Sequence, residues 1–113
     1  MQNEQDIVRL RHMLDAAKKI VEYTDSIQRN DLNRDEKLAL ALVRLLEIIG
    51  EAARAVSTSF RRKHPQIPWR EIAGTRDRLI HGYYDIDFDV VWQIVSGDIS
   101  PLITAIEDIL AGI

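Results

Sequence analysis

The sequence predicts an all-α protein, a compact up-and-down bundle of about five helices. Three observations carry that prediction. Apolar residues recur at three- and four-residue steps, no stretch alternates apolar and polar residues as a half-buried strand would, and the chain has only 5 Gly and 3 Pro to interrupt its helices. With 113 residues and a hydrophobic fraction of 46%, the chain can build one core and is too short for two, so one domain covering residues 1–113 is expected.

Leu10, Met13, Leu14, Ala17, Ile20 and Val21 form one buried stripe, which places a first helix from about Gln5 to Asp25. Ser26 to Asn33 is polar and turn-rich, and Asn33 followed by Glu36 has the spacing of a capping box. The second helix opens there and runs to about Val56. It is apolar nearly all round, with a narrow polar stripe of Arg44, Glu47, Glu51 and Arg54, so it is central or buried in a dimer. Gly50 in its interior costs up to about 1 kcal/mol relative to alanine, which points to another backbone passing close by.

His64-Pro65-Gln66-Ile67-Pro68 breaks the helical pattern, because each proline lacks a donor and pushes its predecessor out of helical geometry. Pro68 suits the first turn of a third helix, Trp69 to about Ile80, which Gly82 ends. Asp87 caps a fourth helix carrying Phe88, Val91, Trp92 and Val95. Ser100 and Pro101 open a fifth with Leu102, Ile103, Ile106, Ile109 and Leu110.

The absence of cysteine excludes a disulfide framework and a thiolate metal site, and fits a reducing compartment, so a cytoplasmic address is expected. No apolar run approaches the roughly 18 residues that span a bilayer, and no membrane partner is expected. The net charge of -3 argues against coating nucleic acid through bulk positive charge. RNA contact would be local, at Arg61-Arg62-Lys63-His64 or at Arg70 with Arg76 and Arg78; the first patch, taken alone, reads as a solvated face. The glycines form neither a P-loop nor a dinucleotide fingerprint. Asp85, Asp87 and Asp89 mimic the start of a calcium loop, but Val90 and Ser96 occupy the positions of its glycine and glutamate, so they read as turn and cap residues. No metal and no cofactor is expected.

Chemistry concentrates in Arg76-Asp77-Arg78-Leu79-Ile80-His81-Gly82-Tyr83. An imidazole trades protons near neutral pH, and a guanidinium grips phosphate with paired hydrogen bonds. On an ideal helix Asp77 and His81 lie about 40° apart, so the carboxylate can orient the imidazole, whereas Arg76 and His81 diverge by about 140°. One regular helix cannot aim both at the same small group unless it tightens or frays before Gly82. A two-fold dimer offers another route, pooling two arginines and two histidines in one cleft. Such a cleft could drive attack of an RNA 2′-hydroxyl on the neighbouring phosphate, with His81 moving protons and Arg76 stabilising the transition-state charge. A structural role at a helix end is the competing reading of the same residues.

The pattern Arg, four residues, His, any residue, Tyr, present as Arg76, His81 and Tyr83, resembles that of the HepT-like toxins of the HEPN superfamily. Ile49-Gly50-Glu51-Ala52-Ala53 and Pro65-Gln66-Ile67-Pro68-Trp69 are similar to flanking segments of the same family. The resemblance covers most of the chain. It implies an all-helical homodimer with a shared cleft that cleaves RNA without metal, the toxin of a toxin–antitoxin module. Arg76 and His81 would then be catalytic, with Asp77 beside them; Glu51 and Arg44, on the polar stripe of the second helix, are candidate supports of the cleft, with a salt-bridged surface stripe as the competing reading. Arg70 and Arg78 remain candidate RNA contacts on the strength of their charge, apart from the resemblance. The implied partner is a cognate minimal nucleotidyltransferase antitoxin that can transfer AMP to Tyr83, adding bulk and negative charge that repel RNA. The alternative is a non-catalytic helical dimer that serves as a protein-binding or nucleotide-binding module for the nucleotidyltransferase.

Overall fold

The computed structural model describes residues 4–82 and 85–113. Helices α1 (Glu4–Tyr23), α2 (Asp31–Arg34), α3 (Glu36–Ala55), α4 (Thr58–Lys63), α5 (Trp69–Ala73), α6 (Thr75–Leu79), α7 (Phe88–Gln93) and α8 (Ile99–Ala111) follow in order, with a π-helical stretch, Ile94–Asp98, joining the last two. Strands β1 (Ile80–His81) and β2 (Asp85–Ile86) pair antiparallel between α6 and α7. The all-α class expected from the periodicity is what forms. No helix among the described residues is long and apolar enough to cross a membrane.

The two long apolar stripes make the core. Leu10, Met13 and Ile20 of α1 meet Leu42, Leu46 and Ile49 of α3 in one cluster that also takes in Leu79, Val91 and Ile106. α1 packs chiefly on α3 and α8, while α3 also meets α5 and α6. α3 is therefore the central helix, as its nearly continuous apolar surface requires. The close backbone expected at Gly50 is that of α5: a β-carbon there would lie 3.0 Å from the Ile72 carbonyl oxygen.

Four local expectations are corrected. The cap of α3 is Asp35, whose side chain accepts from Leu38 N, while Asn33 lies in α2 and takes a hydrogen bond from Arg29. A short helix, α4, follows α3. Ser57 caps it and is itself held by Asp6, which accepts from Ser57 N at 2.8 Å and from Ser57 Oγ at 2.6 Å. Asp6 is almost fully buried, which a carboxylate tolerates when charge-assisted hydrogen bonds replace its water.

The third helix divides at Gly74 into α5 and α6 and stops at Leu79, because Ile80 turns extended (φ -117°, ψ 117°). Finally, Ser100 and Pro101 do not open a helix, since α7, the π stretch and α8 run on without a break and Ser100 lies inside the run. Proline has no N–H to offer the carbonyl four residues back, and the wider turn just before it, where Ile99 N reaches Ile94 O, takes up the misfit. Asp87 does cap α7, accepting from Asp89 N and Val90 N.

Candidate active site

The geometry of the motif starts from which residues α6 buries. Thr75 and Leu79, four apart and so on one side of the helix, face inward, leaving Arg76, Asp77 and Arg78 exposed. Arg76 and Arg78 flank the buried stripe, about 200° apart around the axis. Arg76 therefore leans toward α3, where its Nε lies 3.6 Å from Glu47 Oε2. Arg78 emerges on the opposite side and lines a cavity of about 200 Å³ with Leu46, Ile72, Ile94 and Leu102.

Several tethers fix α6 in that orientation. Thr75 Oγ1 donates to Glu71 O at 3.3 Å across the Gly74 break, and Arg54 Nη2 donates to Ala73 O at 2.8 Å, binding the end of α5 to α3. At the far end, Asp87 N donates to Leu79 O at 2.7 Å, closing the segment that follows α6.

His81 leaves that helix altogether. It stands exposed in β1, in register with Asp85 of β2, and Gly82 takes φ +76°, a conformation that glycine adopts without strain. The 140° divergence of an ideal helix thus does not govern Arg76 and His81. For the same reason the helical Asp77–His81 relation does not form: Asp77 sits within α6 and makes no hydrogen bond to His81 among the described residues. Glu51 pairs with Arg44 at 3.8 Å, both side chains well exposed, and does not reach Arg76. Tyr83, expected as the modification site, lies outside the described residues, as does Tyr84. Arg70, on α5, lines a second depression with Arg61 and Arg62.

Two residues beside the motif escaped the sequence reading. Glu47 belongs to the same polar stripe as Glu51, and only the packing of α6 against α3 selects it. Asp85 reads as a turn residue until the ladder sets it opposite His81. Among the described residues no group of three or more His, Asp or Glu is placed to hold a metal ion. The residues that carry the guanidinium and the imidazole, Arg76 and His81, are both exposed.

An all-helical bundle with an exposed Arg-x4-His segment at the end of a short helix is consistent with the HEPN-like fold that the resemblance implied. The family described as "Ribonuclease HepT-like" matches residues 13–109, and the chain belongs to that family. It is 44% identical over 93 residues to "Probable ribonuclease HepT" of Thermococcus cleftensis, covering 82% of this chain and 84% of that one. It is 38% identical over 98 residues to "Putative RNase MJ1380" of Methanocaldococcus jannaschii, covering 87% and 90%. No solved structure gives a significant match.

Proposed function

We propose that this chain is a metal-independent endoribonuclease, the toxin of a toxin–antitoxin pair, acting in the cytoplasm as a homodimer with a composite cleft. The observation that carries the reading is the placement of Arg76 and His81 on consecutive short elements, both exposed, with Arg76 braced by Glu47 of the central helix. Membership of a ribonuclease family supports it. Two such open edges facing each other would close a cleft that neither copy encloses alone.

In that cleft one imidazole takes the proton of an RNA 2′-hydroxyl while the oxygen attacks the adjacent phosphorus. The guanidinium of Arg76 balances the charge that gathers on the phosphoryl oxygens. A proton from the second His81 goes to the departing 5′-oxygen, leaving a 2′,3′-cyclic phosphate on one fragment and a 5′-hydroxyl on the other. Arg70 and Arg78 hold the strand. A cognate nucleotidyltransferase silences the enzyme by moving AMP from ATP to the Tyr83 hydroxyl with release of pyrophosphate, which sets bulk and negative charge two residues from His81.

The test is cleavage of a mixed RNA pool in excess EDTA by wild type, by His81→Ala, and by protein pretreated with the nucleotidyltransferase and ATP. Cleavage only by the untreated wild type, with cyclic phosphate ends, is expected. Intact RNA in every lane from a folded dimer would leave a binding module for the nucleotidyltransferase instead.

A further inference from the structure

We infer that the basic groove between α4 and α5 is a docking site for the backbone of single-stranded RNA, separate from the motif segment. The inference rests on the ribonuclease reading above and names where that substrate is held. The groove, of about 500 Å³ and open to solvent, brings Arg61 and Arg62 of α4 together with Arg70 of α5, and Glu71 is the one carboxylate that lines it.

Among the described residues none of these cations forms an ion pair, although the chain carries 18 Asp and Glu and Glu71 lines the same groove. Lys18, Arg29, Arg44 and Arg76 each pair with a carboxylate. Arg61, Arg62 and Arg70 make no ion pair or side-chain hydrogen bond among the described residues, and the Nε of Arg61 is buried without an acceptor. Guanidinium groups gathered in this way repel one another until an anion arrives, and phosphodiesters are the anions that their planar forks fit best. A local patch is also the means by which an acidic protein can hold RNA.

The groove is shaped in advance. The indole nitrogen of Trp69 donates to His64 O at 2.9 Å, tying the start of α5 back to the end of α4. Phe60 fills the angle between them, its ring centroid 4.4 Å from that of His64 and 6.4 Å from that of Trp69. Pro65 and Pro68 stiffen the connection, so little order has to be gained on binding. It borders the cavity that Arg78 lines, with Ile67, Pro68 and Glu71 in the lining of both.

The experiment measures binding of a fluorescent single-stranded 20-mer RNA to full-length His81→Ala protein, which leaves the RNA intact, across a salt series. Arg62→Ala with Arg70→Ala in the same background is expected to weaken binding at least about tenfold. It should flatten the slope of log K against log salt by about 1.4, two phosphate contacts at about 0.7 each. Arg62→Lys with Arg70→Lys should restore the slope, and an unchanged melting temperature certifies the fold. Unchanged affinity and slope in the alanine variant overturn the inference. So does wild type that binds no RNA, and so does a variant that binds RNA normally and loses only a protein partner. Dinucleotide cleavage by the protein with His81 intact reports on the nuclease separately: RNA held through the groove with no cleavage sinks the nuclease and leaves the docking site standing.

Discussion

Gly50 lies on the face of α3 that meets α5, and replacing it with alanine sets two effects against each other. Removing a glycine from a helix interior gains about 1 kcal/mol. The new methyl, however, would stand 3.0 Å from the Ile72 carbonyl oxygen and 3.9 Å from that of Ala73, where ordinary contact begins near 3.4 Å. Relief requires α5 to retreat by a few tenths of an ångström. The hydrogen bond from Arg54 to Ala73 O, at 2.8 Å, opposes that retreat. Overpacking of this kind costs about 1–3 kcal/mol, so the net change is a loss of about 1 kcal/mol.

With an unfolding entropy of about 2.1 cal/mol/K per residue, or roughly 240 cal/mol/K for the chain, the melting temperature should fall by about 4 °C. Gly97→Ala is the internal control. It lies in the π stretch, and beyond its own helical backbone no atom stands within 4 Å of the added carbon, so helix propensity acts alone and stability should rise by up to about 1 kcal/mol. Both variants are melted by circular dichroism at one protein concentration, since the midpoint of any self-associating protein depends on it. A Gly50→Ala protein that gains stability as Gly97→Ala does would refute the close packing of α5 on α3.

Asp6→Ala strips the acceptor from two donors of Ser57 and should cost about 2–3 kcal/mol, seen as a melting point lower by about 8–12 °C. A shift under about 2 °C would mean that the buried carboxylate holds nothing. Glu47→Gln loosens Arg76 through a partly solvated pair worth about 0.2–1 kcal/mol, so kcat/KM should drop by no more than about fivefold. Arg76→Ala should lose about a hundred- to a thousandfold in the same fluorogenic RNA assay, and equal losses would end the view of Glu47 as a positioning residue. Gly82→Ala places a side chain at φ +76° and should cost about 1–2 kcal/mol in urea unfolding. An unmoved urea midpoint would show that the turn beside His81 does not need its glycine.

The class of the fold was legible because the signals in α1 and α3 are long. Six apolar residues at helical steps over twelve positions in α1, of which Leu10, Met13, Ala17 and Ile20 are buried while Val21 stands exposed, and an α3 apolar on nearly every side, leave no competing pattern. Gly50 was legible for a related reason: a glycine that costs a long helix stability has to be offset by something, and a second backbone is the simplest cause. The breaks were not legible. Trp69 to Ile80 carries Ile72, Leu79 and Ile80 at helical spacings, and what divides the segment at Gly74 is tertiary: the grip of Arg54 on Ala73 O and the burial of Thr75. Ser100 and Pro101 look like the start of a helix because proline favours a first turn. The same proline is accommodated after a π turn, and no single-residue preference separates the two. Choosing Glu47 over Glu51 likewise needs the azimuth at which α6 meets α3, which depends on every residue of that contact at once.

A helix of five residues has almost no stability of its own, since forming its first turn costs more than its few hydrogen bonds return. The direction of every side chain on α6 is therefore set by α3 and α5, and both of its flanks inherit that setting together. One flank carries Arg76 to Glu47 and, past the helix end, presents His81. The other carries Arg78 to the cavity that borders the basic groove. A change that loosens α5 from α3 should then weaken strand binding and cleavage in parallel, whereas changes confined to one flank separate them. Gly50→Ala is the variant that makes this coupling visible: with the protein still folded well below its melting point, RNA affinity and cleavage rate should decline together. A loss of rate at full affinity would place the disturbance at Arg76 alone.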